Sequence, residues 1–271
     1  MKKTNGEEAR DAAAAYDQRL VPWLFDHWAD PLIDLAPLQP FARVLDLACG
    51  TGLITRHLLL RLDSHGRVDG VDTDPAMLAH AAQAMNDARV TWHESVAEQL
   101  GFGDDSFDRV TCHQGLQFFT DPDAALSGIR RVLRGGGAVT LAVWGPIADN
   151  PWPAALAEAV RRTVGDEAGD AMTTVSRLGD PALVDTMLRR AGFRDVNVEV
   201  GVERADHPDV TEAVEGQLAA LPDATSISDL DDHGRRALLD TMVSLLGDHV
   251  RPDGGVSVPS SVVMAAATAP G

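Results

Sequence analysis

An α/β fold on a doubly wound, mostly parallel sheet of seven strands is what this sequence predicts, and three observations predict it. Short Val- and Leu-rich runs alternate with helix-length amphipathic segments, as βαβ units require. A small-residue loop, "CGTG", follows the first run directly. Asp72 ends the second run, where open α/β sheets place ligand-binding groups, at the carboxyl end of a strand.

Taken in order, the first helical stretch runs from Ala9 to about Ala36. Leu20, Trp23, Leu24, His27 and Trp28 recur there at helix-face spacing, and Pro22 interrupts the run. "RVLDLACGTG" gives a strand and a loop, and Leu53–Leu62 an amphipathic helix. The second strand is Val68–Val71. In "DPAMLAHAAQAM", Asp74 is the N-cap and Pro75 the first turn of a helix. "RVTWHES" and "FDRVTCHQ" are the third and fourth strands. "DPDAALSGIRRVL" is a helix stopped by Gly135–Gly137, and "AVTLAVW" the fifth strand. The Val/Leu-rich strands read as buried on both faces.

Past Trp144 the rhythm loosens. Asn150, Pro151 and Pro153 mark a loop. Helices follow at Ala154–Val164 and Pro181–Ala191, the second closed by Gly192 ahead of the strand "DVNVEV". Thr211–Leu221 and Asp231–Leu246 form a helical insertion, the Asp231–Asp232 pair starting its second helix, and "SVPSSVVMAAATA" is the last strand. The organisation expected is a helical segment at 1–40 and a domain at 41–271. That domain divides into a ligand-binding half (41–145) and a half with the insertion (146–271).

Composition narrows the partners. With 271 residues, 45% hydrophobic and 24% charged, the chain has the make-up of an ordinary globular protein. No apolar stretch approaches the ~20 residues of a membrane span. "MKKTNGEEARDAAAAYDQ" lacks the ~7–15-residue apolar run of a secretory leader. Cys49 and Cys112 make no disulfide framework, so a cytoplasmic location is expected. A net charge of −18 opposes nucleic-acid binding. His207, His233 and His249 stand outside any H-E-x-x-H pattern, so no metal is expected.

The loop and its flanking carboxylates specify the ligand. Asp46 ends the first strand, Gly50 and Gly52 lie in the turn, and Asp72 follows Gly52 by the spacing of a ribose-binding carboxylate. A dinucleotide loop needs a third glycine where this chain has Thr55. Asp46 suits a ligand presenting an ammonium group rather than a pyrophosphate. An amino-acid zwitterion joined to a ribose describes S-adenosylmethionine.

"VLDLACGTG", "GVDTDPAML", "AEQLGFGDDSFDRV" and "IRRVLRGGGAVTLAVW", in that order, resemble the class I S-adenosylmethionine-dependent methyltransferases. The nearest group is similar to the type-11 methyltransferases, which include ubiquinone/menaquinone-pathway and bacterial natural-product enzymes. The likeness covers Val44–Trp144 closely and Tyr16 to about Val202 loosely, and it implies a Rossmann-like fold with the N-terminal helices as a lid.

Residue by residue, the resemblance puts Asp46, Ala48, Gly50 and Gly52 at the methionine end of the cofactor. Cys49 is a small residue of the same backbone-lined loop, with no base to make it a nucleophile. Asp72 takes the ribose hydroxyls, and Thr73 and Met77 flank the adenine, Met77 serving equally as helix core. "SVAEQL" caps the adenine. Here Val96 replaces the family's usual aspartate, which leaves backbone contacts at Ala97, and Glu98 is a solvated or helix-start carboxylate. After the fourth strand the [DN]-P-P-[YF] amine-gripping signature is missing. His113, Gln114 and Gln117 stand near the methylsulfonium instead. His113 is either a general base or a hydrogen-bonded loop histidine. Phe118 and Phe119 read as core, Trp23 as packing, and Tyr16 as a cofactor contact or a packing residue.

The reading is a methyltransferase acting on a small, largely apolar or aromatic metabolite, of the kind found in natural-product metabolism, with a homodimer compatible. The alternatives are a homologue that keeps the cofactor pocket without methylating, as a cyclase or regulator, and a nicotinamide dehydrogenase, which Thr55 opposes.

Overall fold

A computed structural model describes residues 5–220, 227 and 230–271. Its seven strands are β1 (Arg43–Leu47), β2 (Arg67–Asp72), β3 (Val90–Glu94), β4 (Phe107–His113), β5 (Leu133–Trp144), β6 (Arg194–His207) and β7 (Val256–Thr268). They form one sheet in the order β3-β2-β1-β4-β5-β7-β6. The first five strands pair in parallel, and β7 lies antiparallel to β5. Strand order reverses between β1 and β4, whose carboxyl ends therefore make the switch point where such sheets bind ligands. Burial follows position in the sheet. Central β1 is buried along Val44–Leu47, while edge strand β3 has no fully buried residue.

The helices are α1 (Asn5–Ala15), α2 (Ala29–Asp34), α3 (Leu53–Arg61), α4 (Pro75–Ala84), α5 (Pro122–Val132), α6 (Pro151–Thr163), α7 (Asp166–Met172), α8 (Pro181–Arg190), α9 (Val210–Ala220) and α10 (Asp232–Leu246). Asp74, Asp121 and Asp180 each cap a helix whose first residue is proline, and Asp231 caps α10. Each aspartate accepts main-chain N–H groups that the first turn cannot use, and proline there has no N–H to leave unpaired.

Five local expectations change. Pro151 and Pro153 do not mark a loop but lie in the first turn of α6, where the missing proline N–H leaves no helical bond unmade. Pro22 does not break the N-terminal run but sits in a wide π-helical turn, Tyr16–Phe25, closed by a bond from the Asp26 amide to the Val21 carbonyl. Gly135–Gly137 do not stop a helix: α5 ends at Val132 and the glycines lie within β5, with Gly136 at φ +78°. Phe118 is not core but 58% exposed, because the short turn Leu116–Phe118 points Leu116 and Gln117 inward. Helix α7 appears where no periodicity announced it. Leu221, the expected end of its helix, lies outside the described residues.

The chain folds as two units. One comprises Met1–Asp26, Gly145–Arg177 and Val202–Ser261. It packs Trp23 edge-on against Trp152 at 4.7 Å, and Asn150 holds Ser261 through both its amide groups, at 3.1 and 2.8 Å. The other comprises His27–Trp144, Leu178–Gly201 and Val262–Gly271. Its core sets Leu45, Leu47, Val110 and Leu141 of the sheet against Leu126 and Ile129 of α5.

Candidate active site

Below the glycine loop lies a carboxylate sealed from water. Asp46 is 1% exposed, and its two oxygens accept from Thr55 Oγ1 at 2.7 Å and Thr111 Oγ1 at 3.2 Å. Burial pushes its pKa up to about 6, against the pull of those two hydroxyls. The β1–β4 register places Thr111 directly opposite Asp46, and α3 brings Thr55 over it.

Above it the chain turns through Ala48, Gly50 and Gly52, which have φ of +56°, +53° and +85°. Gly52 must be glycine. Besides its left-handed φ, a Cβ there would lie 2.9 Å from Met85 Cε and 3.0 Å from Trp92. Over Gly50 the space is open, with nothing among the described residues within 4 Å of the Cβ it lacks. Cys49 is buried beside them, its thiol pKa pushed well up by burial and by the Asp46 and Asp72 charges, which leaves it inert.

Asp72 ties the loop to β2. Its Oδ2 accepts from the Gly50 amide at 2.8 Å and its Oδ1 from the Asp74 amide at 3.0 Å. Burial raises its pKa, opposed by these backbone bonds. A carboxylate has about four lone-pair sites, so the Gly50, Asp74 and Thr73 amides leave capacity for a further hydroxyl donor. Beside it Thr73 is exposed and Met77 half-buried, α4 burying Leu78 and Ala81 instead. The Ser95 amide donates to the Asp72 carbonyl at 3.0 Å, which brings exposed Val96 and buried Ala97 alongside. Glu98 accepts from the Asp121 amide at 3.0 Å.

On the far side of the switch point, the loop after β4 meets the glycine loop. A Cβ on Gly115 would lie 2.4 Å from Ala48 Cβ. Burial pushes the pKa of His113 down to about 3, helped by the nearby His27 and His57, so its ring is neutral. Gln117 is fully buried and donates Nε2 to Gln114, whose φ is +56°. Tyr16 belongs to the other unit, its ring 5.5 Å from Phe25.

The structure thus gathers Asp46, Ala48, Cys49, Gly50, Gly52, Asp72, Thr73, Met77, Val96, Ala97, His113 and Gln117 within one unit. Sequence reasoning missed Thr111 and gave Thr55 only a negative meaning. A hydroxyl on each side of a buried strand-end acid was the available signal. Among the described residues no group of three or more His, Cys, Asp or Glu could hold a metal ion, and no helix is long and apolar enough to cross a membrane.

Residues 44–137 match the family described as "Methyltransferase domain". A ubiquinone/menaquinone biosynthesis C-methyltransferase from Idiomarina loihiensis is 35% identical over 118 residues, 42% of this chain and 47% of that protein. The chain therefore spans about half the length of the curated relatives it matches. The phosphoethanolamine N-methyltransferase 2 of Haemonchus contortus, solved with S-adenosyl-L-methionine, shares the fold at TM-score 0.62 and 20% identity, over 99% of this chain and 58% of that one. The [4+2]-cyclase SpnF shares it at TM-score 0.57 and 20% identity, over 91% of this chain and 82% of that one.

Proposed function

We propose, from the class I S-adenosylmethionine-dependent methyltransferase domain that this chain carries at residues 44–137, that the protein methylates a small, largely apolar or aromatic metabolite. The observation that carries the reading is the open left-handed loop Ala48–Gly52, bound to the carboxylate of Asp72. When bound, the cofactor supplies a methyl carbon made electrophilic by its sulfonium, so the protein's work is to hold and orient.

Asp72 accepts the ribose hydroxyls. The backbone of Ala48, Cys49, Gly50 and Gly52 leaves room for the methionine end. Thr73 and Met77 stand on one side of the adenine, Val96 and the Ala97 backbone on the other. Asp46, with both oxygens held by threonine hydroxyls, is a positioning residue that fixes Thr55 and adds negative potential beneath the loop. Neutral His113 orients the acceptor by hydrogen bonding. An imidazole this weakly basic is poorly matched to removing a proton at neutral pH. That suits an acceptor that is nucleophilic by itself, such as an electron-rich ring carbon, and the C-methyltransferase relatives support an aromatic acceptor.

Calorimetry with S-adenosylmethionine tests the reading. Wild type should bind, and Asp72→Ala should bind at least about tenfold more weakly. Incubation with labelled cofactor and a panel of phenols and quinols should release S-adenosylhomocysteine. Binding without that product favours the non-methylating alternative, and no binding defeats both.

A further inference from the structure

Two buried amides after β4 each hold an unmade hydrogen bond. Gln117 is 0% exposed and Gln114 is 9% exposed. Nε2 of Gln117 donates to the main-chain oxygen of Gln114 at 3.0 Å and to its Oε1 at 3.0 Å. The main-chain oxygen fixes both orientations. A carbonyl only accepts, so Gln117 must turn its NH2 toward it, and Gln114 must then meet that NH2 with its own oxygen. What remains is Nε2 of Gln114 and Oε1 of Gln117, buried and, among the described residues, without a partner.

Such groups are costly to leave unmade, more so than apolar side chains of the same shape. Methionine or leucine would fill the space without that cost. These amides therefore have work that the loop's own packing does not explain. Their place suggests it. Gly115, between them, touches Ala48 of the glycine loop, so the pair stands at the switch point beside the reaction site.

Resting on the methyltransferase reading above, we infer that Gln114 and Gln117 form an amide clamp that selects the methyl acceptor. Nε2 of Gln114 donates to the acceptor, and Oε1 of Gln117 accepts from it. The group that satisfies both is uncharged and carries a donor and an acceptor: a hydroxyl, a phenol or a carboxamide. A carboxylate or phosphate offers lone pairs only and would set its charge against the Gln117 oxygen, so anionic acceptors are rejected. An ether supplies no donor and loses one of the two bonds. The neutral ring of His113 adds no cation that would compensate an anion.

Three probes with one apolar body separate these cases: 1-naphthol, 1-methoxynaphthalene and 1-naphthoate, titrated into the full chain saturated with S-adenosylhomocysteine. Wild type should bind 1-naphthol at least about tenfold more tightly than either of the others. Q117M removes the free acceptor and should cut the preference to within about threefold. Q114M removes the free donor, with Gln117 Nε2 still bonded to the main-chain oxygen, and should weaken 1-naphthol at least about tenfold while the preference stands. Both should leave S-adenosylmethionine affinity and the melting temperature near wild type. Equal binding of the three probes by wild type overturns the clamp, as does no binding of any. Survival of the preference in Q117M overturns it too, and so does wild-type naphthol affinity in Q114M. So does a fall in cofactor affinity with acceptor binding unchanged, which assigns the amides to the cofactor. Failure of wild type to bind S-adenosylmethionine at all is a separate result, and it strikes the methyltransferase reading itself.

Discussion

Thr55 donates its hydroxyl to Asp46 Oδ2 at 2.7 Å, in a place no water reaches. The residue whose side chain opposes a dinucleotide loop is therefore the residue that makes a buried acid tolerable. T55V removes that donor and leaves Asp46 only the Thr111 hydroxyl and the Thr55 amide, at a cost of about 1–3 kcal/mol. The penalty should be larger at pH 8, where Asp46 is ionised, than at pH 4.5, where it is protonated. Urea denaturation at the two pH values measures it, and a pH-independent penalty would remove the charge from the account.

Asp46 also sets a slope of its own. Its folded pKa, about 6, lies above the 3.8 of the unfolded chain, so between these values the native state holds the extra proton. The stabilisation is full below pH 3.8 and is lost as pH rises through about 6. D46N should flatten this slope, read as the difference between the two proteins' unfolding free energies from pH 4 to 8. Parallel curves would show that Asp46 titrates normally.

His113 gives the opposite sign. Its folded pKa, about 3, lies below the ordinary 6.5, so the unfolded chain takes up a proton that the native state refuses. Stability is lost as pH falls from about 6.5 toward 3, and H113Q should abolish that loss. At pH 7.5 the same variant should keep turnover within about tenfold of wild type, because little base catalysis is removed. A fall of about 10²-fold or more would restore His113 as the general base.

How far the sequence reaches is clear from these residues. The strands, their parallel order and the Asp-Pro helix starts at Asp74, Asp121 and Asp180 follow from period and cap chemistry, which are local. The last strand and the insertion before it are likewise local patterns, and both are present; that this strand runs antiparallel to β5 is a pairing the pattern does not show. Non-local facts were illegible. That Thr111 faces Asp46 depends on register between strands 65 residues apart in the chain. That Gln117 folds back onto Gln114 depends on a left-handed residue that is not glycine. Phe118 escapes for a different reason: a one-turn segment has too few residues to show a period.

Gly115 carries a prediction about the meeting of two loops. A methyl group there would lie 2.4 Å from Ala48 Cβ and 3.0 Å from Cys112 Sγ, and Ala48 is itself held at φ +56°. Neither neighbour is a flexible chain end, so G115A must move one loop against the other. S-adenosylmethionine affinity should fall at least about tenfold while far-ultraviolet circular dichroism stays that of the folded sheet. Wild-type affinity would show that the loops part without cost to the cofactor site.

At the opposite end of the same strand, Arg109 joins the sheet to the segment that precedes it. Its side chain is 1% exposed, yet among the described residues the groups it hydrogen-bonds are all uncharged. Nη1 donates to the Ile33 carbonyl at 3.3 Å and to Thr140 Oγ1 at 3.2 Å; Nη2 donates to the Ala36 carbonyl and to that of Pro37 at 3.1 Å. Three of these acceptors are carbonyls at and beyond the end of α2, which no helical amide reaches, and a cation there also suits the helix dipole. Burial lowers the guanidinium pKa to about 10, partly offset by the Asp34 charge, so it stays ionised at neutral pH. R109M would strand these carbonyls in a dry interior, and we expect a loss of about 3 kcal/mol or more in urea denaturation. R109K should recover only part of it, since one ammonium has three donors and no planar fork to span the four acceptors. Because Arg109 lies at the amino end of β4, away from the loops at the carboxyl ends, cofactor affinity measured below the unfolding transition should match wild type. Full stability in R109M would mean that water, not arginine, satisfies the end of α2.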